Sequence, residues 1–452
     1  MNTHTLPQLP HFLQKFPPRL LFWALVGLSV LGYYLLVYQT LRSDFGKLIT
    51  LFLGLFLCYG LAISFRWSRP YVVAWIAAAI IFRLSLLVAI PNLSDDYARF
   101  VWDGRLLANG YNPFLYLPTD LLNTSISKNA GLSQPLFSLL NSPQYFTVYP
   151  PLNQAFFGLA AWLSDSDLWL NVVWLRVFIL LAEIGTFALL YSPQKPKRLL
   201  LYALNPLVII ELTGNLHFEA FVIFFLLLAF RWLETRWFWS ATALVLAITT
   251  KLLPLLFLPM LLIRLGWRRG LPYGLVMGLG VLALFLPFLN LELIQNVAKS
   301  LDLYFQKFEF NASFYYLLRR IGFWIKGYNI IQTLGPALSL MAAMGIVGLA
   351  LFKQKTDLTR CALWSLLLYF LCATTVHPWY ICSLVALCSF TTLRFPLVWS
   401  ALLPLTYAAY AQQPVRENDW FLVVEYGVLL GCVVWEIIGS SAAHIPNERA
   451  NP

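Results

Sequence analysis

The stretch Ser94-Asp95-Asp96-Tyr97-Ala98-Arg99-Phe100-Val101-Trp102-Asp103-Gly104-Arg105 holds three carboxylates and two arginines within twelve residues. A carboxylate next to the bilayer can take the proton of a hydroxyl, and guanidinium groups at the same depth can hold a phosphate. The spacing predicts a helix with Ser94 as its N-cap and Asp95 and Asp96 in the first turn. On that helix Asp96, Arg99 and Asp103 share one face, and Asp95 is also spaced to reach Arg99. Phe100 and Trp102 give it an apolar flank suited to a helix lying in the membrane interface, and Asn112-Pro113 ends it. A blander account has the acids complementing the helix dipole and the arginines pairing with them. At the mouth of a membrane bundle so dense a mixture of charge is costly, which favours a site.

Further candidates lie far away in sequence. Lys251, in Thr249-Thr250-Lys251-Leu252-Leu253-Pro254, stands where one apolar run ends and the next begins. It joins Arg99, Arg105, Arg319 and Arg320 as a candidate phosphate-binding cation, against the alternative of snorkelling to lipid headgroups. His217, in Asn215-Leu216-His217-Phe218-Glu219, and His377, in Val376-His377-Pro378-Trp379-Tyr380, are expected on the same side as the acidic segment. A lone histidine at a helix end is more often a packing residue. Two on one side, one of them beside a carboxylate, suit a site, with His377 expected to bond a departing phosphate. Asp103, His217, Glu219, Tyr149, Trp379 and Tyr380 are expected to contact substrate. Zinc at His217, Glu219 and His377, or a divalent cation at Asp95 and Asp96, is chemically conceivable, but no spacing fixes a metal and none is assigned. No other cofactor is required.

These residues must be positioned by membrane-embedded helices. Of the 452 residues 60% are hydrophobic and only 11% charged, well under the roughly 25% charged of soluble domains. Apolar runs long enough to cross a bilayer recur from Leu20 to Gly439, and the first is read as a retained span. The net charge of +11 sits between apolar runs, as the positive-inside rule expects, and does not point to nucleic acid. Cys58, Cys361, Cys372, Cys382, Cys388 and Cys432 all fall inside predicted spans without metal-ligand spacing and read as packing residues. The 17 Trp and 22 Tyr are mostly belt and packing residues.

With Lys15 and Arg19 in the cytoplasm, the inner turns hold Arg66/Arg69, Lys195/Lys197/Arg198, Arg231/Arg236, Arg264/Arg268/Arg269, Lys353/Lys355/Arg360 and Arg394. Arg42 and Lys47 go against this trend. The pattern predicts an all-α polytopic protein of about fourteen spans with both termini inside. Residues 150–164 are short for a crossing and are expected as a re-entrant or interfacial helix on the outer face. The outer face then receives Pro91–Tyr149, Gly214–Glu219, Asn290–Tyr328 and His377–Tyr380. The expected organisation is a three-span segment 1–90, an outer catalytic loop 91–165, a bundle 166–440 with outer loop 290–328, and a cytoplasmic tail 441–452.

The acidic pair followed by Tyr97 and Arg99, Trp102-Asp103-Gly104-Arg105, Gly110-Tyr111-Asn112-Pro113-Phe114 and Tyr149-Pro150-Pro151-Leu152 resembles the GT-C superfamily of membrane glycosyltransferases. The likeness is nearest to polyprenol-phosphate-mannose-dependent mannosyltransferases and more distant to GPI mannosyltransferase I. Asn205-Pro206-Leu207, His217-Phe218-Glu219, Phe310-Asn311-Ala312-Ser313-Phe314-Tyr315-Tyr316 and His377-Pro378-Trp379-Tyr380 extend it across residues 91–380. Each piece is weak and the combination is specific. The resemblance implies transfer of a hexose, mannose first, from a polyprenyl-phosphate sugar to a hydroxyl of a lipid or glycan. It also implies inversion at the anomeric carbon, with an outer-loop aspartate, Asp95 or Asp96, as base. The chain departs from the simplest pattern in having two spans before the acidic loop's own span, and no clear separate soluble domain. The expected location is a bacterial inner membrane, with the site on the periplasmic face. A transporter or flippase of lipid-linked sugars is the alternative, but transporters place sites at the midplane between repeats, and no repeat is visible. A non-catalytic membrane subunit would not need these residues to converge.

Overall fold

The computed structural model describes residues 17–306, 308–352 and 357–442. Lys15, Lys353, Lys355 and the tail from 443 onward lie outside the described residues. The described chain is helical, and beyond helices it has one isolated parallel bridge, Phe310 with Thr375.

Three helices open the chain: α1 (Pro18–Gln39), α2 (Phe45–Ser64) and α3 (Arg69–Leu84). The acidic segment forms α4 (Asp96–Ala108), and after short loop helices comes α5 (Pro151–Ser164), followed by α6 (Leu168–Leu190). A π-helical turn, Ile209–Gly214, precedes α7 (Glu219–Trp232), α8 (Trp237–Thr250) and α9 (Leu258–Phe285). Next are α10 (Leu291–Gln306), α11 (Phe314–Lys326), α12 (Ile331–Phe352) and α13 (Leu358–Cys372). The last long helix, Asp419–Ala442, follows two shorter apolar helical segments.

Six helices are long and apolar enough to cross a membrane, and up to seven if the bent pair Pro206–Gly214 and Glu219–Trp232 is one span. At about 1.5 Å per residue, the 22 residues of α1 cover roughly the hydrocarbon thickness. Such helices, with large apolar side chains facing outward along α1, α2, α9 and α12, make this a membrane protein. The count is below fourteen because several apolar runs are divided into shorter helices, among them Trp237–Thr250, Leu358–Cys372, Pro378–Cys388 and Phe395–Ala411. Prolines stand in the first turn where Pro254, Pro378, Pro396 and Pro404 restart the helix, since a proline there lacks only an amide the helix would not use. Helix α9 is itself broken at Gly266, whose φ of +67° suits a residue without Cβ.

Two buried arginines brace the part of the bundle that matters for the site. Arg83 of α3 grips Glu183 of α6 with two bonds of 2.9 and 2.8 Å, and also donates to the Ala203 carbonyl at 2.7 Å. Glu183 also accepts the Thr213 hydroxyl. Arg176 of α6 donates to the carbonyls of Thr213 and Gly214 at 2.7 and 3.2 Å, satisfying the end of the π turn. Buried charges persist at such depth only when fully partnered.

Candidate active site

Helix α4 lies against α5, and the approach is as close as the backbones permit. A Cβ on Gly104 would sit 2.3 Å from the Phe157 carbonyl oxygen, so only glycine fits. Phe100 stacks on Phe157 at 4.6 Å, and Tyr149 and Phe218 meet both rings edge-on. Residues 151–164 thus form a 14-residue helix packed on α4, with Asn153 and Gln154 turned inward and buried. This packing holds the first turn of α4 at the wall of a cavity of about 1290 Å³.

The wall gathers residues that are widely separated in sequence. Asp95, Asp96, Arg99, Tyr149, His217, Glu219, Lys251, Arg319, Arg320, His377, Trp379 and Tyr380 all line it. Two expected site residues do not. Asp103 is fully buried beneath the wall, where it accepts from Arg99 Nε at 2.8 Å and from Gln154 at 3.2 Å. Arg105 is turned away and donates to the carbonyls of Gly131 and Ser166 at 2.5 and 2.6 Å, which ties down the loop between α4 and α5. Helix geometry accounts for both, because positions 103 and 105 lie more than one turn beyond the exposed first turn.

The helix starts one residue later than the sequence reading, with Asp95 rather than Ser94 as the flanking residue. Ser94 Oγ accepts from the Asp96 amide at 3.4 Å. The two aspartates therefore face different partners. Asp95 pairs with Arg42 at 2.6 Å, not with Arg99, and the Arg42 guanidinium lies 4.3 Å over the Tyr410 ring. Asp96 accepts from Asn141 at 3.1 Å, and its other oxygen lies 3.8 Å from His217 Nε2. Arg99, freed from both, donates to Asp103 and to the Tyr145 carbonyl, and its Nη2 has no hydrogen-bond partner among the described residues.

Irregular backbone brings His217 to Asp96. The π turn carries Glu211, and Leu216 is held at φ +63°, an uncommon conformation for a branched side chain. His217 Nδ1 then meets the Glu211 carbonyl oxygen at 2.8 Å and its carboxylate at 3.3 Å. Tyr407 donates to the same carboxylate at 2.7 Å, and Asn215 at 3.1 Å. Burial disfavours the His217 cation, but the nearby Asp96 and Glu211 carboxylates outweigh burial and raise it to about 9. Burial likewise raises the Asp96 carboxyl, yet the neighbouring His217, with help from Asn141, leaves it below the ordinary carboxylate value. Each group thus favours the charged form of the other across 3.8 Å.

Trp379 stacks on His217 at 3.8 Å on one face and on His377 at 4.4 Å on the other. Phe310 continues the stack beyond His377 at 5.2 Å. The turn is fixed by bonds from the Phe310 amide to the Thr374 carbonyl and from the Val376 amide to the Phe310 carbonyl, at 3.0 and 2.8 Å. Burial pushes His377 down to about 3, so it presents a neutral ring to the cavity. Lys251, the residue after α8, pairs with Glu219 and sits 3.8 Å over the Tyr380 ring. At the rim Arg319 pairs with Glu309, Arg320 with Asp419 at 2.5 Å, and Tyr316 with Glu417.

Several wall residues were not singled out from sequence. Arg42 carried a signal, as a basic residue that breaks the positive-inside pattern; Glu211, which does not line the cavity but holds His217 from behind, carried one as a lone acid in an apolar run. Tyr407, Tyr410, Glu309 and Glu417 carried none that separates them from others of their type. Among the described residues, no three His, Cys, Asp or Glu side chains are grouped as a metal would need. Cations and carboxylates balance on the wall: Arg42, Arg99, Lys251, Arg319, Arg320 and Arg416 face Asp95, Asp96, Glu219, Glu309, Glu417 and Asp419. Alternating charge with interleaved aromatic rings suits a ligand combining hydroxyls, an anion and an apolar face.

Residues 30–266 match the family described as "Alpha-(1->6)-mannopyranosyltransferase, N-terminal domain". The match covers just over half of the 452 residues and includes α4, α5, the π turn, His217, Glu219 and Lys251. No curated protein matches the chain, and no solved structure does.

Proposed function

Since the chain belongs to the alpha-(1->6)-mannopyranosyltransferase family, and so to the membrane glycosyltransferases that act on mannose, we propose that it moves mannose from a polyprenyl-phosphate carrier to a hydroxyl of a lipid or glycan acceptor. The observation that carries this reading is the convergence on one cavity of Asp95, Asp96, Arg99, Lys251 and His377, drawn from segments up to 282 residues apart.

The donor enters from the bilayer and its phosphate meets Arg99 and Lys251, with Arg319 and Arg320 at the rim. Lys251, Arg319 and Arg320 each exchange a carboxylate partner for the phosphate, and Arg99 adds its positive charge from the wall. His377, neutral and half-buried at the cavity wall, bonds a phosphate oxygen without adding charge. One of the two aspartates takes the acceptor proton as the acceptor oxygen bonds to the anomeric carbon. The bond from that carbon to phosphate breaks on the opposite face, its electron pair leaves with the phosphate, and the configuration inverts. The rings of Trp379, Tyr380 and Tyr149 flank the sugar. The finer architecture belongs to this reading too: a GT-C bundle of about fourteen crossings that counts the shorter apolar helices, in a bacterial inner membrane, with the cavity on the periplasmic face and the α-(1→6) linkage as product.

The test is transfer of labelled mannose from synthetic polyprenyl-phosphate mannose in membranes carrying wild type or the Asp95→Asn/Asp96→Asn double variant. Transfer by the wild type that is lost in the double variant supports the reading. Equal transfer by both would sink it.

A further inference from the structure

Two adjacent aspartates share the cavity wall, but the fold treats them unequally. Asp95 is engaged by Arg42, whose guanidinium rests on Tyr410, so its carboxylate is already committed to an ion pair at 2.6 Å. Among the described residues, the Asp96 side chain accepts only from Asn141 and otherwise faces His217 Nε2 at 3.8 Å. Behind His217 the chain runs inward without a break: Glu211 holds the ring nitrogen, and Tyr407 and Asn215 hold Glu211. Glu211 and Tyr407 are both buried. Trp379 packs on one face of the ring at 3.8 Å and restrains its orientation.

The backbone is shaped for this arrangement at some cost. A π turn and a buried leucine at φ +63° are unfavourable unless their surroundings impose them, and such features cluster at functional sites. Arg176 holds the carbonyls that close the π turn, so the strain is braced from α6. A histidine needed only for packing would not require the carboxylate behind it.

Resting on the mannosyl-transfer reading, we propose that His217 is the positioning residue of Asp96: held by Glu211 and Tyr407, it fixes the Asp96 carboxylate toward the cavity, which makes Asp96 rather than Asp95 the base. His217 touches no reacting atom and acts through Asp96. The acceptor O–H proton goes to Asp96, the acceptor oxygen bonds to the anomeric carbon, and the electron pair of the broken bond leaves on phosphate. The imidazolium keeps Asp96 ionised before the step. Glu211 balances the charge of His217, so the pair does not draw the donor phosphate away from its own cations. The charged and titratable groups facing His217 are Asp96 from α4, Glu211 from the π turn, and Glu219 from α7, itself paired with Lys251. Beyond Trp379 stands neutral His377.

The test uses full-length enzyme in liposomes, with polyprenyl-phosphate mannose as donor and octyl α-mannoside as acceptor. His217→Gln is expected to lower kcat roughly 100-fold while KM for the donor changes by no more than about twofold, the signature of an effect confined to the chemical step. The acid limb of its pH profile should move to higher pH, because Asp96 loses the neighbour that holds it ionised. Imidazole added to His217→Gly should restore part of the rate and leave the wild type unchanged. Glu211→Gln should shift kcat in the same direction by less, and serves if the His217 variants fold poorly. Asp96→Asn should lose more activity than Asp95→Asn. A folded His217→Gln with wild-type kcat and pH profile would overturn the inference, as would an active Asp96→Asn beside a dead Asp95→Asn. A wild type that transfers no mannose overturns the parent reading and this inference with it.

Discussion

The inner wall and the rim of the cavity are both lined by ion pairs, yet they are built in opposite ways. At the inner wall the side chains are fixed by irregular backbone and burial, as with His217, which follows a left-handed leucine and is held from behind by Glu211 on its π turn. At the rim, α11 presents Arg319 and Arg320 from a regular amphipathic helix, while Leu317, Ile321, Trp324 and Ile325 point outward. The Arg320–Asp419 pair keeps two thirds or more of both side chains exposed, whereas Arg83–Glu183 is almost wholly enclosed. Identical charge chemistry therefore serves geometry in one place and, in the proposed reaction, ligand exchange in the other. A buried pair is strongly coupled to stability, and an exposed pair can be traded for a phosphate at little loss.

The comparison can be broken at several points. The largest effect should come from Asp96→Asn, with mannose transfer reduced by roughly 10²–10⁴ while the detergent-solubilised protein melts within a few degrees of wild type. Next, Glu183→Gln leaves Arg83 buried without its counter-charge and should cost about 3–5 kcal/mol of stability, read as loss of the monodisperse, helical species on mild heating. Gly104→Ala should cost about 1–3 kcal/mol through overpacking and lower activity, since the Phe157 carbonyl must retreat and take the first turn of α4 with it. The smallest change belongs to the rim: Arg320→Gln should alter stability by less than about 1 kcal/mol and raise KM for the donor modestly. A rim variant as damaging as Glu183→Gln would erase the distinction.

The pH dependence sharpens it further. His217 is raised to about 9 in the fold, so its share of stability is fully present below its ordinary value near 6.5 and is lost as pH rises through 9. Asp96 is lowered, so its share is present above the ordinary carboxylate value and is lost only as pH falls below that range. Transfer should therefore hold across neutral pH and fall on the alkaline side near 9, a limb that His217→Gln should abolish.

The membrane class and the acidic helix were legible because apolar runs and i,i+4 spacing are local properties of the chain. So was a helix over most of 150–164, although its tight seat on α4 depends on Gly104 meeting Phe157. Lys251 and His377 were legible as exceptions, polar residues where apolar runs end. What stayed hidden depends on contacts no spacing encodes. The match between Asp95 and Arg42 joins residues 53 apart, and Tyr407 reaches Glu211 across 196 positions. Arg105 looked like a phosphate ligand because its side chain says only that it is cationic. Its bonds to Gly131 and Ser166 appear only once the loop is folded over it.

The most direct test of the central claim is the rate of mannose transfer from polyprenyl-phosphate mannose by purified wild-type protein, set beside that of the Asp95→Asn/Asp96→Asn double variant in the same liposomes. The account predicts transfer by the wild type, with an α-(1→6) product, and none above background by a double variant that remains folded. Transfer that survives in the double variant would contradict it.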